Sequence, residues 1–136
     1  MIKPICRDTA VLSKKAVAAN VFDLKTAEDL LDTLTANADR CVGMAANMIG
    51  VAKSIIVFDC AGTYMTMFNP EIVTASGEYD VLEGCLSLDG KRPVKRYTDI
   101  TVRYQDSKFK TFEKKFSGWT AEIIQHEIDH CNGILI

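Results

Sequence analysis

The chain has 136 residues, 48% of them apolar and 25% charged, with a net charge of −2. That length suits one domain over residues 1–136, with a core that needs no staples, in the composition range of ordinary soluble proteins. So small a net charge leaves no electrostatic footprint for nucleic acid or an anionic membrane, and Lys14-Lys15 and Lys114-Lys115 read as solvated surface.

The N-terminus lacks the apolar core of a signal peptide, and no run approaches spanning length. Five cysteines, at 6, 41, 60, 85 and 131, are odd in number and scattered. That argues against a disulfide framework. A cytoplasmic protein is expected, where reduced thiols remain available as metal ligands.

Residues 1–20 are mixed, with Leu12, Ala16 and Val17 as anchors against the body. The first helix is expected to start near Thr26, where Thr26-x-x-Asp29 offers a hydroxyl cap and a returning carboxylate. Ala27, Leu30, Leu31, Leu34 and Ala38 then fall on one helical stripe. Cys41 to Gly50 follows, with Gly43 and Gly50 bracketing small residues where something approaches the backbone closely. The Gly-Lys-Ser/Thr ending of a phosphate loop is missing. Ser54–Asp59 and Tyr64–Phe68, joined through Gly62, read as a hairpin. Asn69-Pro70 is expected to interrupt, with a further strand over Glu71–Thr74. Gly77–Leu82 leads into Glu83-Gly84-Cys85-Leu86-Ser87 and a polar turn around Asp89-Gly90. Ile100–Tyr104 alternates as a half-buried strand, and Phe109–Phe116 alternates with Phe112 and Phe116 inward. Gly118 breaks that pattern, a helix runs from about Trp119 to Cys131, and Asn132-Gly133 stops it. Helix, strands, then helix is an α+β order.

The only two histidines are His126 and His130, within His126-Glu127-Ile128-Asp129-His130. Four residues apart on a helix, their imidazoles share a face and reach one cation, with Glu127 beside it as a base. A catalytic site needs a third protein ligand. Cysteine or a carboxylate could supply it, and Cys85 is the best placed by context.

Gly43-Met44-Ala45-Ala46-Asn47-Met48-Ile49-Gly50, Glu83-Gly84-Cys85-Leu86-Ser87 and Gln125-His126-Glu127-Ile128-Asp129-His130 resemble the three signature motifs of the peptide deformylases, in order and spacing. Asn69-Pro70, Arg92 with Arg96, and Asn132-Gly133-Ile134-Leu135 match as well. The resemblance covers nearly the whole chain. It implies mixed and antiparallel sheets around the motif helix, and removal of the N-formyl group from the initiator methionine of nascent bacterial chains, with release of formate. It implies Cys85, His126 and His130 as ligands of Fe(II), or of Zn(II) or Ni(II) as substitutes. Glu127 is then the proton carrier, and the Leu86 N–H faces the oxyanion. Val42 and Gly43 line the cleft, Gly43 pairing with an extended peptide. Arg92 corresponds to a substrate-contacting arginine, and Arg96 pairs with Asp129 to hold the motif helix.

Three departures stand out. Met48 replaces a glutamine whose amide donates to the developing oxyanion, and a thioether donates nothing. Losing one such donor costs about 10²–10³ in turnover, so impaired chemistry with intact metal binding is expected. Cys41 replaces a leading glycine, and Asp89 stands where proline is common. Glu122, one turn before His126, lies near the methionine pocket. The sequence ends at Ile136 without the extension some relatives use, which argues against ribosomal docking. Two alternatives follow from Met48 and Glu122: an amidase for another N-acylated substrate, or a non-catalytic metal-holding binder of peptide termini. Oligomeric state is not readable from the sequence.

Overall fold

The computed structural model describes residues 1–136. After a short helix α1 (Thr9–Leu12) and a 3-10 turn (Val21–Asp23), α2 spans Leu24–Ala36. A short strand β1 (Gly43–Ala45) runs into a second 3-10 turn, Ala46–Ile49. Strands β2 (Ile55–Cys60), β3 (Thr63–Cys85), β4 (Leu88–Gln105) and β5 (Thr111–Ser117) follow, and α3 (Gly118–Cys131) closes the fold. The class is α+β, as expected. The strands form one antiparallel meander, β1-β2-β3-β4-β5, with an isolated Val17–Lys53 bridge as its parallel element.

The sheet is covered on both faces at its β2 end. Ile56 and Phe58 pack with Ala121, Ile124 and Ile128 of α3. Ile55 and Val57, pointing the other way, pack with Leu30 and Leu34 of α2. Alternate residues of one strand therefore enter two different cores. That is why β2 reads as a continuous apolar run rather than an alternation.

Several boundaries differ from the sequence expectation. The N-cap position of α2 is Asp23, not Thr26, and it makes no side-chain cap bond; just upstream, the Asn20 side chain accepts from the Phe22 N–H, and the Asp23 carboxylate accepts from the Asn20 N–H. This capping box opens a 3-10 turn that runs straight into α2. Asp29 is engaged instead by Lys25 Nζ at 3.1 Å. Ala38 falls beyond the helix and is exposed, and Val17 is 59% exposed, serving through its backbone rather than its side chain.

Asn69-Pro70 kinks a strand without ending it. Asn69 sits at φ 52°, the ladder shifts register between Phe68 and Glu71, and pairing resumes within the same β3. Asparagine tolerates this left-handed backbone. Its side chain secures the bulge by accepting from the Ala19 N–H at 2.8 Å and donating to Gln105 Oε1 at 2.7 Å. The expected turn at Asp89-Gly90 is displaced too. Cys85 pairs with Leu88, so the reversal is the two residues Leu86-Ser87, and Asp89-Gly90 belongs to β4. Cys85 therefore ends a strand. Phe109, expected in a strand, lies at φ 60° in the turn closed by Asp106.

Candidate metal centre and cleft

α3 carries His126, Glu127 and His130, all buried, on the helix side facing the end of β3. Its imidazoles meet as helical spacing requires, Nε2 to Nε2 at 3.1 Å. The β3–β4 reversal delivers Cys85 to the same point. The ligand atoms of Cys85, His126 and His130 lie within 4.8 Å of one another, the one such cluster in the chain. Two nitrogens about 2.0–2.1 Å from a tetrahedral zinc stand roughly 3.3 Å apart, so the imidazole pair has the spacing of a chelate.

The two imidazoles sit in different electrostatic surroundings. Burial alone would lower the His126 imidazolium, but hydrogen bonding to Cys85 and Glu83 outweighs it and brings the group up to about 10. Burial, reinforced by the charge on His126, holds His130 down to about 3. His130 Nδ1, Ser87 Oγ and Glu127 Oε1 are buried without partners.

A carboxylate missed by the sequence reading organises the centre. Glu83 Oε1 lies 2.8 Å from His126 Nδ1, and Arg96 Nη2 donates to the same oxygen at 2.6 Å. Arg96 Nη1 reaches Asp129 at 2.6 Å, which gives the expected Arg96–Asp129 pair with Glu83 added to it. Burial opposes ionisation of Glu83, but the His126 and Arg96 hydrogen bonds prevail and hold it at about 2. Such a carboxylate on the outer imidazole nitrogen fixes ring orientation and tautomer. Its signal was present: Glu83 and Cys85 are two apart on one strand and so share a face. Replacing Arg96 with methionine strands that buried carboxylate. The expected loss is about 3–5 kcal/mol, measured as a lower urea midpoint.

A cleft of about 280 Å³ opens over the cluster. Val42, Gly43, Met48, Cys85, Leu86, His126 and Glu127 all line it, as do Arg40, Cys41, Trp119 and Glu122. Arg92 does not. It sits opposite Glu83 in the β3–β4 ladder, half-buried, with Nη1 unpartnered. Glu122 is no plain surface carboxylate: it accepts from the Tyr79 hydroxyl at 2.9 Å, and burial next to Glu83 raises it. Burial likewise pushes the Cys41 thiol up to about 12, and its Sγ–H donates to the Gly43 carbonyl at 3.0 Å.

Burial, uncompensated by any hydrogen bond to Oε1, brings Glu127 up to about 7. Gly43 is required beside it. A Cβ there would stand 2.8 Å from Ile123 Cγ2 and 2.9 Å from Glu127 Oε2. Gly43→Ala is therefore expected to displace the carboxylate. A shift of that kind costs on the order of 10² in kcat/KM, read by steady-state kinetics alongside an unchanged metal content.

Comparison with known proteins follows the same lines. The family model for polypeptide deformylase matches residues 2–136. A peptide deformylase of Clostridium beijerinckii is 48% identical over 136 residues, covering 100% of both chains. The crystal structure of a peptide deformylase from Legionella pneumophila superposes with a TM-score of 0.88 at 38% identity, covering 99% of this chain and 83% of that one. A Met-Ala-Ser-bound class I type b peptide deformylase from Acinetobacter baumannii gives 0.89 at 26% identity, covering 99% and 97%.

Proposed function

The chain belongs to the polypeptide deformylase family, and from that membership we infer what its cleft does. It is a metal-dependent hydrolase that removes the N-formyl group from the terminal methionine of newly made polypeptides and releases formate. The observation that carries the reading is the convergence of Cys85, His126 and His130 beside the buried, unpartnered Glu127. The relatives lend no support to a different N-acyl substrate or to a non-catalytic binder.

Cys85, His126 and His130 would hold the ion. One thiolate with two imidazoles suits Fe(II), the ion proposed for the cell, and accommodates Zn(II) or Ni(II). When bound, the ion supplies Lewis-acid polarisation and a nucleophile at neutral pH. The thiolate makes the site sensitive to oxidation.

The protein's own groups do the rest. Glu127 takes the proton released as the nucleophile attacks, and delivers it to the leaving amine. Gly43 presents the peptide rail. Asp59 N–H bonds the Val42 carbonyl at 2.8 Å and Gly43 pairs in register with Phe58, so by antiparallel alternation the Gly43 N–H and C=O face away from β2. β1 is an edge strand, and an extended peptide adds to it there. Val42 flanks that rail. The Leu86 N–H, at the reversal after Cys85, donates to the oxygen that becomes anionic. Met48 lines the same cleft and offers that oxygen no donor.

No helix is long and apolar enough to cross a membrane, and we place the protein in the cytoplasm, where translation supplies formylated chains. The test is formate release from formyl-Met-Ala-Ser by anaerobically prepared Fe(II) protein. Protein that holds the metal yet releases no formate would overturn the reading.

A further inference from the structure

The N-terminal arm bridges the two segments that bring Met48 and Leu86 to the cleft. Lys3 N–H is tied to Thr33 Oγ1 at 2.9 Å, and Cys6 N–H to the Met48 carbonyl at 2.7 Å. The next residue, Arg7, reaches the opposite side. Its Nη1 donates to the Leu86 carbonyl at 2.9 Å and its Nη2 to Asp89 Oδ1 at 2.6 Å. The Leu86 carbonyl belongs to the same peptide group as the Ser87 N–H, and that N–H donates to Cys85 Sγ at 3.4 Å. A peptide group is planar, with its C=O and N–H pointing in opposite directions. One plane therefore holds a guanidinium at one end and the metal-ligating sulfur at the other.

We propose that Arg7 is a positioning residue for the thiolate ligand, acting through the Leu86–Ser87 peptide. This rests on Cys85 being a ligand, as proposed above. The plane lies in the middle of a two-residue reversal, the peptide whose flip interconverts turn types. Turning it over would take the N–H off the sulfur and break the Arg7 bond together. A charged donor is stronger than the water that would otherwise meet the carbonyl. It also polarises the amide and so strengthens the N–H at its far end. Hydrogen bonds to a ligating sulfur tune how much charge that sulfur gives the metal. Asp89 is exposed, and a surface ion pair of this kind contributes little by itself.

The test uses the whole protein loaded with cobalt(II) or zinc(II), as wild type, Arg7→Ala, Arg7→Lys and Asp89→Ala. In Arg7→Ala the sulfur-to-cobalt charge-transfer band should move to longer wavelength, because the sulfur loses its donor. The zinc dissociation constant should rise about tenfold. Arg7→Lys, which keeps one charged donor, should fall between wild type and Arg7→Ala, and Asp89→Ala should stay near wild type. If Arg7→Ala does not fold, the lysine variant carries the comparison. An unmoved band in the arginine variants, even with weaker zinc binding, would make Arg7 a plain strap and overturn the inference. So would an Asp89→Ala shift as large as that of Arg7→Ala. A wild-type protein with no thiolate band at all would overturn the ligand assignment itself.

Discussion

Replacing Glu127 with glutamine is expected to lower kcat for a formyl-methionyl peptide by about 10²–10⁴-fold while metal content and KM stay close to wild type. Glutamine has the shape of glutamate, so it fits beside Gly43 as Glu127 does. What disappears is the ability to take up a proton and give it back. The three proposed ligand atoms belong to Cys85, His126 and His130, none to residue 127, so the ion should remain. Folding should not suffer either. Glu127 is 4% exposed and burial brings it up to about 7, so near neutrality an amide is no worse a buried group than the carboxylate it replaces. Kinetics and elemental analysis on the same preparation separate the outcomes. Turnover within a few-fold of wild type would remove Glu127 from the mechanism. Metal lost together with activity would make it a ligand or a support for one.

The metal helix was legible because its signal is local. Two imidazoles four apart on a helix must share a face, and no tertiary contact alters that. The hairpin through Gly62 and the alternation of Ile100–Tyr104 were legible for the same reason. Cys85 was not legible from spacing. It lies 41 residues before His126 along the chain, and only the motif resemblance joined the two. The misplaced features share one physical cause, namely that a distant partner decided them. Asn69-Pro70 looks like a strand end, yet Ala19 and Gln105 hold it as a bulge. Thr26 looks like a helix cap, yet Asn20 and Asp23 cap the preceding turn reciprocally and the helix continues from it. Asp89-Gly90 has turn composition, yet the β3–β4 ladder closes tighter, at Leu86-Ser87. Glu83 and Arg7 act only through groups brought to them by folding, His126 and Arg96 for one and the Leu86 carbonyl for the other.

Met48→Gln is expected to raise kcat by about 10²–10³-fold, the range assigned to one oxyanion donor, and to weaken the fold at the same time. Both effects follow from where residue 48 sits. It is 1% exposed and packs in the core with Leu30, Leu34 and Met44, yet it also lines the cleft with Leu86 and Glu127. A glutamine there puts an amide at the cleft end of a side chain of similar length. It can supply the N–H that the thioether lacks. The same amide must leave water, and any hydrogen-bonding capacity left unmet in the core costs about 1–3 kcal/mol. The urea midpoint should therefore fall with the slope unchanged, since the surface exposed on unfolding is nearly the same. The backbone at this position should hold, because the Met48 carbonyl is already fixed by the Cys6 N–H. A destabilised variant that turns over faster identifies methionine as a residue kept for packing at the expense of chemistry. A destabilised variant with wild-type turnover means the Leu86 N–H and the ion already meet the oxyanion's needs in this chain, and Met48 impairs nothing.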